Sequence, residues 1–150
     1  MTVRGALRTT RLREVPDLLR STLAAARMEV ALRRDPLDVV ARRMGARLYT
    51  RTSGPEPGSD GPAPTFSDAE RARVATARRV TRHWPFGDTC LRRSLMTAHQ
   101  LRDRSPELYV GVAKTDGVVT AHAWVVVDGV SLDPSGAARF TTLEPAGGTR

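Results

Sequence analysis

From residue 16 to residue 48, apolar side chains recur every three or four positions. In PDLLRSTLAAARMEVAL (16–32) that period puts Leu18, Leu19, Thr22, Leu23, Ala26 and Val30 on one stripe. It predicts an amphipathic helix with the stripe turned inward. Asp35 followed by Pro36 is a cap and first-turn signal. A second helix is expected after it, with Leu37, Val40, Ala41, Met44 and Leu48 inward, so that the two form a helical hairpin.

The pattern then stops. SGPEPGSDGPAP (53–64) has four prolines and three glycines in twelve residues and reads as a linker or loop. Ser67 with Glu70 makes a capping box, opening a helix that runs to about Arg82 and breaks in HWPFGDT. Asp88 or Thr89 can cap the next helix, which places Cys90 in its first turn. Leu91, Ser94, Leu95, Ala98 and Leu101 mark its buried stripe, and it ends before Pro106.

Beyond that point the period drops to two. LYVGVAKT, VVTAHAWVVV and VSLD are short runs separated by Asp116-Gly117 and Asp128-Gly129, the strongest short-range hairpin signal. The expected fold is α+β, with the Cys90 helix packed on an antiparallel three-strand meander. The expected organisation is a basic helical region at 1–52, a linker or loop at 53–65 and a catalytic domain at 66–150.

Composition changes this picture little. At 150 residues the chain is one ordinary domain with at most a short appendage. Aromatic residues are only 5%, so aliphatic and alanine packing must dominate the core. One cysteine excludes an internal disulfide and a multi-cysteine zinc site, and it fits a reducing compartment. No apolar run approaches the roughly 20 residues a membrane span requires, and no signal-peptide pattern opens the chain. A cytoplasmic location is expected. The net charge is +8, yet Lys114 is the only lysine, as GC-rich codon usage would produce. Residues 1–52 hold 12 arginines against 5 acids, a surplus of +7. That half suits an anionic partner, but no aromatic residues alternate with the arginines, and nucleic acid is not expected.

Two-residue turns fix the hairpin registers. Around Asp128-Gly129, Val127 faces Val130 and Trp124 faces Asp133. His122, Trp124 and Asp133 then share one face, with Asp133 diagonal to His122. Asp128 lies at the turn tip, about 20 Å along the strand from His122, so Asp133 is the carboxylate that can orient the ring. Around Asp116-Gly117, Gly111 faces His122 and leaves room for another element, the start of the Cys90 helix being the expected one. A helix N-terminus favours a thiolate through its unpaired N–H groups. A carboxylate on the far imidazole nitrogen fixes the tautomer. Cys90, His122 and Asp133 therefore match a nucleophilic relay, and the Cys90 N–H could serve an oxyanion. Each residue also has an ordinary reading: a buried thiol, a packed imidazole, a turn carboxylate. His99 lies about 180° round the helix from Cys90, and His83 reads as a surface or cap residue. Neither gives a zinc-ligand spacing with the others, so no metal is expected. Ser94 reads as a small packing residue.

CLRRSLMTAHQLRDRS, LYVGV and AHAWVVVDGVSLDPS together resemble the transglutaminase-like, papain-type cysteine peptidases. More closely they are similar to the stand-alone leader peptidases of lasso-peptide biosynthesis. The resemblance covers roughly residues 66–144; residues 1–52 match only as an arginine-rich helical region. It implies Cys90 as nucleophile, His122 as general base and Asp133 as orienting acid. Val126 departs from the pattern, since many relatives carry glutamate there. The implied reaction is removal of the leader from a ribosomally made precursor, with no metal or cofactor. The implied partners are the precursor, a small leader-recognition protein and an ATP-using cyclase, with residues 1–52 contacting the leader complex. An acyltransferase or amidase of the same fold and a non-catalytic scaffold that binds the precursor are the alternatives.

Overall fold

The computed structural model describes residues 4–49, 62, 64–115, 118–133 and 141–142. The stretch expected as a linker therefore lies outside the described residues except for 62, 64 and 65, as does the turn at 116 and 117. Among the described residues there are four helices: α1 (Arg4–Arg34), α2 (Leu37–Arg43), α3 (Asp68–Arg82) and α4 (Cys90–Gln100). Five strands accompany them: β1 (Arg47–Tyr49), β2 (Glu107–Thr115), β3 (Val118–Val127), β4 (Val130–Ser131) and β5 (Thr141–Thr142). The sheet runs β1-β2-β3-β4, with β5 also paired to β2. The class is α+β.

The meander keeps the register that its turns require. Thr115 faces Val118, Gly111 faces His122 and Val127 faces Val130. Asp128 and Gly129 both have positive φ, at 53° and 78°, as a type I′ turn demands. Leu132 N–H donates to the Val125 carbonyl at 2.9 Å, carrying the register one residue past β4.

Two strands lie beyond the expected meander. The second helix, expected to run through Leu48, ends at Arg43 because Gly45 takes φ 84°. Gly45 N–H donates to Arg42 O at 3.0 Å and Ala46 N–H to Ala41 O at 2.9 Å, a Schellman stop. The chain then leaves as β1, parallel to β2 with Leu48 opposite Leu108. The sheet is thus mixed. Thr142 of β5 pairs with Gly111 along the edge of β2 away from β3, a neighbour in the plane of the sheet that the hairpin count did not include.

The face that α1 buries is not the one its stripe suggested. Ala24, Ala25, Met28 and Ala31 enter the core with Ser21 and Glu29, whereas Leu18, Leu19, Leu23 and Val30 are exposed. α1 packs on α3 and α4, where it meets other small residues, Ala77 and Ala98. Short side chains on both sides let the helices approach closely, and the longer leucines are left outside. α3 opens on the expected capping box: Ser67 Oγ accepts from Glu70 N–H at 3.2 Å, and Ser67 N–H donates to the Glu70 carboxylate at 2.7 Å.

A Cβ added at Gly45 would stand 2.5 Å from Arg102 Cβ, close to the main chain where it cannot swing away. Together with the positive φ, this leads us to expect Gly45→Ala to cost about 1–3 kcal/mol in urea unfolding. A variant as stable as the parent would show that this stop is not under constraint.

Candidate active site

α4 begins at Cys90, and its N-cap is Thr89, whose hydroxyl accepts from Arg92 N–H at 3.3 Å. The Cys90 N–H is among the four that a helix leaves without an internal acceptor. Arg92, in the first turn, is clamped from α1. Its Nε and Nη2 donate to the two oxygens of Glu29 at 2.9 and 3.1 Å, and the Trp84 indole donates to the same carboxylate at 3.4 Å. Glu29 is buried, yet the Arg92 hydrogen bonds outweigh burial and hold its carboxyl below the usual range. This charged pair ties the start of the Cys90 helix to α1.

The same helix reaches β3 through Ser94. Two residues before Val125, the Ala123 carbonyl points to the side that β4 would cover, but β4 ends at Ser131. Ser94 Oγ donates to that carbonyl at 2.9 Å, taking the place of a strand partner. Ser94 is therefore a buried hydrogen-bonding residue and not only a small packing one. Its position one turn after Cys90, on the same face, was the signal available in the sequence.

His122, on β3, bonds Asp133 through Nε2 at 2.8 Å, as the hairpin count required. Asp133 is held in turn by its own N–H, which donates to Ser131 Oγ at 3.2 Å. The imidazole stacks on Trp124, centroids 6.0 Å apart. Trp124 stacks on Tyr109 at 5.7 Å, and Tyr109 on Tyr49 at 5.0 Å. A row of rings therefore runs from β1 across the sheet to the histidine and limits how the imidazole can tilt. The Trp124 indole nitrogen is sealed from water and has no acceptor.

Cys90, Ser94, His122, Trp124 and Asp133 line one cavity of about 370 Å³. Arg78, Arg82 and Arg93 stand around it, Arg93 paired with Asp88 at 3.3 Å. The other sequence candidates lie elsewhere. Asp128 pairs with Arg104 at 3.1 Å. His83 caps α3, its Nδ1 at 2.9 Å from the Arg79 carbonyl. His99 is half-buried at the far end of α4. Among the described residues, no group of three His, Cys, Asp or Glu side chains could hold a metal ion. No helix there is long and apolar enough to cross a membrane.

A family model described as the transglutaminase-like superfamily matches residues 31–144, which span α2, α3, α4, the sheet and the cavity. No curated protein and no solved structure matches the chain.

Ser94→Ala leaves the buried Ala123 carbonyl without a donor, so a loss of about 1–2 kcal/mol is expected by urea unfolding. No loss would mean that Ser94 does not hold α4 on the edge of β3.

Proposed function

Because the chain belongs to the transglutaminase-like superfamily, we propose that it is a cysteine peptidase that cuts the leader from a ribosomally made lasso-peptide precursor. One observation carries the reading: a helix-start thiol shares its cavity with an imidazole that a carboxylate holds at 2.8 Å. The resemblance of CLRRSL and AHAWVVVDGVSLDPS to leader peptidases supplies the substrate class.

Asp133 engages Nε2 of the ring, so Nδ1 is the nitrogen that serves the thiol. The thiolate attacks the scissile carbonyl, forming a C–S bond and an oxyanion that the Cys90 N–H can meet. Collapse of the oxyanion breaks the C–N bond, and His122 gives its proton to the leaving amine. Water, deprotonated by His122, then hydrolyses the thioester and regenerates the thiol. Asp133 keeps the ring oriented and stabilises the imidazolium throughout. No step calls for a metal or a redox group. The partners are the precursor and a small leader-recognition protein, with a cyclase acting afterwards. Residues 1–52 are the proposed docking region, supported by their +7 surplus and by the outward Leu18 and Leu19 of α1.

Cys90→Ala should abolish cleavage of the precursor while leaving its binding intact; cleavage that survives the change would overturn the reading. Asp133→Asn should lower kcat/KM about a hundredfold or more, whereas Asp128→Asn, which loses only a surface pair with Arg104, should change it less than about twofold. The reverse order would mean that Asp133 is not the orienting acid. A primary amine added during turnover should give no covalent adduct by mass spectrometry. An adduct would reassign the enzyme as an acyltransferase.

A further inference from the structure

The end of α4 farthest from Cys90 carries a second cavity. Cys90 and Gln100 are about 15 Å apart along the axis at 1.5 Å per residue, and His99 and Gln100 form one wall of a space of about 400 Å³. The other walls come from α1, from Arg73 of α3 and from the turn Arg102–Arg104. Four arginines line it, Arg20, Arg27, Arg73 and Arg102, against the two carboxylates of Asp17 and Asp103. Arg20 is paired with Asp17 at 3.3 Å. Arg27, Arg73 and Arg102 have no carboxylate partner among the described residues.

The polar groups of these walls are incompletely met. Arg73 Nε and His99 Nδ1 are sealed from water and have no hydrogen-bond partner, which is costly for a buried polar group. Burial, and then the charges of Arg102 and Arg27, hold the His99 imidazole below its ordinary pKa. Several cations thus converge on one half-buried ring, four arginines against the two carboxylates of Asp17 and Asp103. An oxyanion entering here would gain charge-assisted hydrogen bonds and relieve the repulsion.

The cavity continues past Arg27 and His99 into a cleft of about 780 Å³ that Leu23, Val30, Ala31 and Met44 also line. Leu23 and Val30 are each 49% exposed. A free phosphate would use the guanidinium groups and leave that aliphatic surface bare. A peptide carrying a carboxylate next to an aliphatic side chain would cover both.

We propose that this double cleft docks an acidic peptide segment, with a carboxylate held by Arg27, Arg73 and Arg102 and neighbouring aliphatic side chains laid on Leu23 and Val30. The site is separate from the Cys90 cavity and stands whether or not the protein is a peptidase.

Fluorescence anisotropy with the full chain and a short fluorescein-labelled peptide of alternating glutamate and leucine tests it. Saturable binding that weakens with salt is expected, and the glutamine-for-glutamate peptide should not bind. Arg27→Gln and Arg102→Gln alter exposed side chains and leave the fold intact; each should weaken binding about tenfold. No binding, equal binding of the glutamine peptide, or unchanged affinity in both variants overturns the proposal. If a glutamate–serine peptide binds as tightly and inorganic phosphate displaces it, the pocket takes free oxyanions and the peptide assignment is wrong.

Discussion

The candidate site depends on a helix docking against a strand edge that its neighbour leaves uncovered. β4 is two residues long, and among the described residues the Ala123 carbonyl of β3 has no strand partner. A buried carbonyl without a donor is costly, and Ser94 supplies one from the first turn and a half of α4. That bond sets α4 against β3 one residue from His122. Because Cys90 lies one helical turn before Ser94, satisfying a main-chain acceptor also brings the thiol into the cavity that His122 and Asp133 line.

The remaining features hold this junction in place. The Glu29–Arg92 pair fixes the start of α4 to α1, while the small residues of α1 let it lie close to α3 and α4. The stacked rings Tyr49, Tyr109, Trp124 and His122 cross three strands and restrain the imidazole from the sheet side. Arg104 joins the base of α3 to the β3–β4 turn by bonding Glu70 at 2.9 Å and Asp128 at 3.1 Å. The Arg104 bond, with the capping box, pushes the Glu70 carboxyl down to about 2. The carboxylate at the turn tip therefore has a structural partner, and the one past β4 faces the histidine.

The hairpins were legible in the sequence because they are local. Asp-Gly turns set the register by counting, and the count places Gly111 opposite His122 and Asp133 within reach of its ring. Caps at Ser67 and Thr89 were legible for the same reason, each being written within four residues. What escaped was decided by distant partners. α1 offers two apolar faces, and periodicity favours the one with leucines; the core took the alanine face because α3 and α4 present alanines to it. Glu29 on that face disguised it further, since a carboxylate enters a core only with a partner such as Arg92, 63 residues away. β1 was hidden because Leu48 continues the helical spacing of α2, and only the left-handed Gly45 ends it. β5 is two residues long and carries no local signal that sets it apart.

The proposed chemistry requires that the Cys90 thiol and the His122 imidazole act on each other. The chain has a single cysteine, so alkylation by iodoacetamide, followed by intact mass at neutral pH, reads that thiol alone. If the two are coupled, the folded His122→Ala protein should alkylate about tenfold more slowly than the parent. Equal rates in the two proteins would contradict the account, since the sulfur would then be indifferent to the ring.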